Sequence, residues 1–239
     1  MSEISSGFRN VAAIMALLLL TCSAARAEDT IKIGIPTGLS GANSVVAPSV
    51  VQSAELAIDE INAAGGILGK KVALEVADDG SGAAGAQKAA DSLIFQKKVN
   101  SLISMQTSAA RNGMLPIVTR GKVPYIYTSL YEGRSCNKYL YCNGAVPEQM
   151  VGPIVDHFME AKGGKTFFLV GSDYAFGRGM LAFTKSYIEK KGGKVVGDEY
   201  QPMDATDWTA IISKMRSANP DAVIFSTAGG APNVTLQKQ

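Results

Sequence analysis

Nucleophiles are present in this 239-residue sequence, but the groups that would activate them are not. Ser40 and Ser108 have no plausible histidine partner. The sole histidine, His157, falls in a helical segment and reads as a helix-surface or packing residue. It also lies far from Cys136 and Cys142, which argues against a metal site. Catalysis would then rest on carboxylates such as Glu132 and Asp173, whose pairing the spacing does not establish. Gly80, Gly82 and Gly85 fit the pattern G-x-G-x-x-G after a strand and at the start of a helix. A dinucleotide site would need an acid about 20 residues further on, to hold a ribose. That region reads SLISMQ and carries none, so neither nicotinamide nor any other cofactor is expected. Such a chain is built to capture a small molecule rather than transform one.

The elements that would position a binding site alternate along the sequence. A strand over residues 31–35 runs into a small-residue loop, then an amphipathic helix that ends at Gly65-Gly66. On that helix Val51, Ala54, Ile58 and Ile61 share one face, with Asp59, Glu60 and Asn62 turned away. A second strand over 72–77 stops at Asp78-Asp79-Gly80, which reads as a strand-ending turn. Strand, helix, strand is the crossover unit of a parallel sheet, which binds ligands at the carboxyl ends of its strands. A helix over 83–96, a strand over 101–104, a helical stretch from Ser108 interrupted by Pro116 and a strand over 124–127 follow. Residues 130–147 read as irregular. A second series then gives helices near 149–161, 177–191 and 208–218, and strands over 166–170, 195–200 and 222–226. The expected fold is therefore α/β: two lobes, each a parallel sheet flanked by helices, joined near 144–147 around a cleft. The second series has too few strands for a finished domain, and we read that lobe as incomplete.

The N-terminus reads as an export signal. Arg9 supplies positive charge, residues 11–20 form an apolar run, and Ala25-Arg26-Ala27 is a small-x-small cleavage site. The run is about half the ~20 residues needed to span a bilayer. Thr21 is a poor predecessor for a lipid-anchored Cys22, so cleavage after Ala27 is the expectation. That divides the chain into a signal peptide at 1–27, a first lobe at 28–146 and a partial second lobe at 147–239. The mature protein is expected to be soluble and periplasmic, not inserted in the membrane. Losing Glu3, Arg9 and Arg26 takes the formal charge from +2 to +1. With no dense basic cluster, nucleic acid is not an expected partner. In an oxidising compartment, Cys136 and Cys142 read as a small structural disulfide.

The motifs GLSG at 38–41 and AELAIDEINAAGGILGKKV at 54–72, together with Asp78, resemble the type I periplasmic solute-binding proteins. That family includes leucine/isoleucine/valine receptors and short-amide and urea receptors. Tyr131-Glu132-Gly133, NGAVPEQ at 143–149, Gly171-Ser172-Asp173-Tyr174 and Ser226-Thr227 look most like the amide and urea branch. The resemblance covers nearly all of residues 30–235, and family members are considerably longer. It implies the exported receptor of an ABC importer, which closes two lobes about a hinge on a small polar organic solute and then docks on a membrane permease. A ligand-sensing regulator on the same fold is the alternative, with a hydrolase last.

Carried over from the family, the ligand contacts are Gln106, Ser108, Tyr127, Ser129, Tyr174, Ala228 and Gly229, all after strand ends. The residue types suit that role. Serine hydroxyls both donate and accept. A helix start at Ser108 favours a carbonyl or anion. Tyrosines wall an apolar ligand and add a phenol. Each has a plainer alternative: Ser108 as a helix N-cap, Ser129 as a turn residue, Tyr127 as strand core. Gln106 departs from the amide branch, which often has an aromatic there. An amino acid ligand would need a carboxylate facing its ammonium group. In the family's amino acid branch that acid lies beyond residue 239.

Overall fold

The computed structural model describes residues 30–41, 44–80 and 82–239. The expected leader, its cleavage site and Cys22 lie outside them. Two parallel sheets form. The first takes β1 (Ile31–Thr37), β2 (Val72–Asp78), β3 (Ser101–Ser104), β4 (Tyr125–Tyr127) and β5 (Leu140–Cys142) in the order β2-β1-β3-β4-β5. The second takes β6 (Thr166–Ser172), β7 (Lys194–Gln201) and β8 (Ala222–Ser226) in the order β7-β6-β8. Every pair is parallel, so each connection must cross over, mostly by a helix. β1 pairs with β2 from Ile31↔Val72 to Thr37↔Asp78, which puts Thr37 and Asp78 at one carboxyl edge.

The apolar run Phe167-Phe168-Leu169-Val170 explains why β6 lies at the centre of its sheet. A strand covered on both faces has no polar side to show. Phe167 and Leu169 enter one core with Val155, Leu181 and Ile188, while Phe168 and Val170 enter another with Trp208, Ile211 and Ile212. In the first lobe, Leu102, Tyr125 and Tyr127 pack under α2 (Ala83–Asp91) and α3 (Ser108–Gly121). α2 runs on as a π-helical turn, Ser92–Gln96, which brings Leu93 and Ile94 into that core.

Several boundaries differ from the sequence reading, each for a physical reason. Pro116 does not interrupt α3, which is continuous through Gly121. A mid-helix proline costs about 3 kcal/mol, and the buried face of Ala110, Arg111, Met114 and Val118 offsets it. Residues 130–147 are not wholly irregular: β5 adds to the sheet edge, with Tyr127 opposite Cys142. α1 (Ala47–Ala63) buries only Ala47 fully and stands off the sheet over an apolar cavity of about 700 Å³ that includes Ile35, Ile58 and Ile103. Asn62 does not turn away. Its amide donates to the Val72 carbonyl and accepts from the Val72 N–H, both at 2.8 Å, and so clamps the entry to β2.

Beyond β5 come α4 (Pro147–Met150) and α5 (Gly152–Lys162), which carries His157 exposed. α6 (Ala175–Lys190) and α7 (Thr209–Ala218) flank the second sheet. A last helix, α8 (Ala231–Lys238), was not legible in the sequence. Cys136 and Cys142 are free thiols, so the expected disulfide is not formed. Cys142 is held half-buried on β5 against the first core, whereas Cys136 sits in the exposed loop before it. Among the described residues no helix is long and apolar enough to cross a membrane.

Candidate functional site

Four loops at strand carboxyl ends converge between the sheets. They follow β3 and β4 in the first lobe and β6 and β8 in the second, and with Val45 and Val46 after β1 and Met203 after β7 they border a cavity of about 540 Å³. All seven residues named from the sequence line it. Met105, Met150, Ile154, Phe176, Met180 and Met203 supply much of its apolar wall, and among the described residues none that lines it carries a charge. Packing alone gives no reason for so many chain ends to meet here, because a loop brings polar backbone that must be satisfied.

Gln106 faces away from ligand duty. Its amide nitrogen donates to Asp79, and its oxygen accepts from the Tyr125 phenol at 2.8 Å. Asp79 is thus a buried partner and not only part of a turn, whereas Asp78 does end the strand. It accepts from the Ser40 hydroxyl at 2.7 Å and from the N–H groups of Ser40 and Gly80. Tyr127 is both core and wall. It is buried, packs edge-on to Tyr125 and Tyr131, and donates its phenol proton to the Gln106 carbonyl at 2.7 Å.

The cap of α3 is Thr107 rather than Ser108: Thr107 Oγ1 accepts from the Ala110 N–H at 3.2 Å. This leaves the Ser108 side chain for another use. Its hydroxyl donates to Glu132 at 2.5 Å, and Arg111 donates to the other oxygen of Glu132 at 2.6 Å. Arg111 is buried, with its guanidinium 4.9 Å from the Tyr127 ring centre and 5.4 Å from that of Tyr131. Burial pushes the Glu132 carboxyl up, but the bonds from Ser108 and Arg111 and the charge of Arg111 outweigh it and hold the group below its ordinary value.

On the opposite wall, Tyr174 precedes α6, and burial beside Tyr127 and Glu132 pushes its phenol up to about 12, so it stays protonated as a donor. Ser129 sits in the loop after β4, with its carbonyl pressed against Gly144; a side chain at Gly144 would meet that oxygen at 1.9 Å. The Ala228 N–H is taken by the Ser172 hydroxyl at 2.8 Å. Gly229 leads into α8, whose first turn has no side-chain cap. The starts of α3, α6 and α8 therefore all border one uncharged cavity, where their N–H groups favour a carbonyl or carboxylate. Arg111 and Thr107 were missed in the sequence. Three-residue spacing from Ser108 to Arg111 on one helix was the available signal.

The lobes touch where Glu132 meets α6. A Cβ added at Gly179 would lie 2.6 Å from the Glu132 Cβ, nearer than side chains approach. Gly179→Ala should lower the ligand-free thermal midpoint, since the new methyl must displace Glu132 or part the lobes, and the roughly 0.5–1 kcal/mol that alanine gains in a helix interior offsets only part of that. It should also part the lobes and raise the radius of gyration in solution scattering. An unaltered radius would mean that the 130–133 loop yields instead.

Residues 30–239 match the sequence profile of a family described as periplasmic binding protein. A Leu/Ile/Val-binding protein homolog of Brucella melitensis is 32% identical over 221 residues, covering 88% of this chain and 57% of the relative. The substrate binding protein of a Streptococcus pneumoniae branched-chain amino acid transporter, solved with isoleucine, is 28% identical with a TM-score of 0.71, over 82% of this chain and 57% of that one. An ABC transporter solute binding protein of Rhodopseudomonas palustris, solved with 3,4-dihydroxybenzoic acid, superposes with a TM-score of 0.75 at 24% identity, over 88% of this chain and 59% of that one. The chain thus spans a little over half the length of these proteins.

Proposed function

Since the chain belongs to the periplasmic binding protein family, we propose that it is the solute receptor of an ABC importer, and that its solute is a small aromatic or amide compound bearing a carbonyl or carboxylate. The observation that carries this reading is the uncharged cavity shared by both lobes and bordered by three helix starts. Ligand contacts across such a cleft favour the closed arrangement, and closure would present the receptor to a membrane permease. The seven lining residues named from the sequence are the proposed contacts, with Ser108, Ser129 and Tyr174 offering polar side-chain atoms and Gly229 its backbone, while the Ala228 N–H is already paired with Ser172. Gln106 and Tyr127 act mainly as support, because their polar atoms are already paired.

A branched-chain amino acid is the second reading, favoured by the Leu/Ile/Val-binding relative. Its ammonium group would need a facing carboxylate; the described lining residues include none, and the resemblance implies that this acid comes from a part of the second lobe outside them, so the present lining does not count against this reading. Urea or acetamide suits the polar groups, but either would leave much of the cavity to water. The 3,4-dihydroxybenzoic acid bound by one structural relative suits the apolar wall with its ring and the polar groups with its hydroxyls and carboxylate.

Thermal unfolding of the purified chain with 4-hydroxybenzoate, 3,4-dihydroxybenzoate, benzamide, acetamide, urea, leucine and isoleucine tests this. A solute at 100 times its Kd adds about 2.7 kcal/mol, which should raise the midpoint by roughly 5–10 °C. The expected shift comes from the aromatic acids or the amides. A shift with leucine or isoleucine alone would move the protein to the second reading, and a transition that no solute moves would count against both.

A further inference from the structure

The Ser108 hydroxyl has one proton, and the fold has already assigned it. Ser108 Oγ donates to one oxygen of Glu132 at 2.5 Å, while Arg111 donates to the other at 2.6 Å. A carboxylate that close to a buried guanidinium is ionised, and an ionised carboxylate only accepts. The proton between Ser108 and Glu132 therefore belongs to the serine and points away from the cavity. What remains on Ser108 Oγ for a ligand is lone pairs.

We infer that Glu132 and Arg111 fix Ser108 as a hydrogen-bond acceptor, so that the captured solute must bring a neutral donor, a phenol O–H or an amide N–H, to this point of the cavity. The inference rests on the receptor reading and sharpens it. A serine free to rotate would donate to a carboxylate or accept from an amide N–H alike; this one rejects an acceptor, because two facing lone pairs leave each other unpaired. An ammonium gains little here, since the one carboxylate nearby is already neutralised by Arg111. The acceptor end of the solute then goes to the starts of α6 and α8, across the cavity from Ser108. Donor at Ser108 and carbonyl or carboxylate elsewhere is the pattern of a hydroxybenzoate or an aromatic amide.

Glu132 and Arg111 do not line the cavity themselves. They act as positioning residues, so the test reads a ratio of affinities and not affinity alone. Two probe pairs differ only in the donor: 4-hydroxybenzoate against 4-fluorobenzoate, and benzamide against acetophenone. Calorimetric titration of the full chain should show the donor member of at least one pair binding about tenfold tighter or more. Glu132→Gln supplies an amide that can donate to Ser108 and turn its proton toward the cavity, which should bring the ratio toward one. Ser108→Ala keeps the Arg111–Glu132 pair, guards against a folding defect in the first variant, and should also bring the ratio toward one. Equal binding of both members in the native chain would overturn the inference while leaving a receptor. So would a preference that survives in both variants. Binding of neither member of either pair would overturn the receptor reading for this class and this inference with it.

Discussion

Arg111→Ala should lower the stability of the first lobe by about 3 kcal/mol, and the loss should shrink as the pH falls. Removing one partner of a buried ion pair typically costs about 3–5 kcal/mol, because the other charge is left without compensation. The lower end applies here because the Glu132 side chain keeps 20% of its surface exposed, whereas Arg111 keeps 1%. The guanidinium also packs on two tyrosine rings, so part of the loss is contact. In the native chain Glu132 is held below its ordinary value of 4.5. Its stabilising contribution is therefore complete above that value and is lost as the pH drops through the lowered one. Without Arg111 the bond and the charge that it contributes are lost, so the Glu132 carboxyl rises from its lowered value and protonates more readily in the variant. Thermal midpoints of the two proteins should differ by roughly 6–12 °C at pH 7 and approach each other as the pH falls below 4.5, the ordinary value of Glu132. Adding Glu132→Gln to Arg111→Ala should restore part of the loss at pH 7, and no restoration would show that ring packing, not charge, is what Arg111 contributes.

That pair marks the boundary of what the sequence revealed. Strands were legible wherever an apolar run was short and bounded: residues 101–104 and 222–226 were placed to the residue. β6 was found but stopped two residues early, because Gly171 and Ser172 carry no strand signal of their own and are held by pairing with β7. β5 escaped notice since Leu140, Tyr141 and Cys142 become a strand only by pairing with β4. α8 escaped because Ala231 and Pro232 read as loop, yet proline is well suited to the first turn of a helix. Pro116 misled in the opposite direction, since local propensity said break and the packed face of α3 said continue.

The site was legible in its positions and much less so in its chemistry. The family resemblance supplied seven residues after strand ends, and all seven border one cavity. Which polar atoms remain for a ligand depends on neighbours distant in sequence. Asp79 and Tyr125 occupy the Gln106 amide, Gln106 occupies the Tyr127 phenol, and Ser172 occupies the Ala228 N–H. Hydrogen-bond direction at Ser108 is set from 24 residues away. No local pattern encodes such an assignment, because it arises only when loops from separate strands are folded together.

Trp208→Ala should be the most damaging single truncation in the second lobe, at about 3–5 kcal/mol, the range for emptying a large aromatic site. Trp208 is fully buried and joins Phe168, Val170, Ile211 and Ile212 beneath α8, where Leu236 completes the cluster. Its indole N–H donates to the Pro232 carbonyl at 3.0 Å, and its backbone N–H donates to the Gln239 side chain at 2.9 Å. The residue therefore ties both ends of α8 to the start of α7. Because α8 begins at the 227–230 loop, its loss should also weaken solute binding, although Trp208 does not line the cavity. Trp208→Phe separates these effects: it keeps most of the apolar bulk and removes only the indole bond to the Pro232 carbonyl, which still accepts from the Thr235 hydroxyl at 3.0 Å, and should cost about 0.5–1.5 kcal/mol. Circular dichroism melts of both variants measure the stabilities. In the native chain the same indole, the only one present, provides a fluorescence signal for unfolding. A Trp208→Ala midpoint within a degree or two of the native one would mean that α8 is not docked through this residue, and the wall of the cavity formed by Gly229, Gly230 and Asn233 would then have no rigid support.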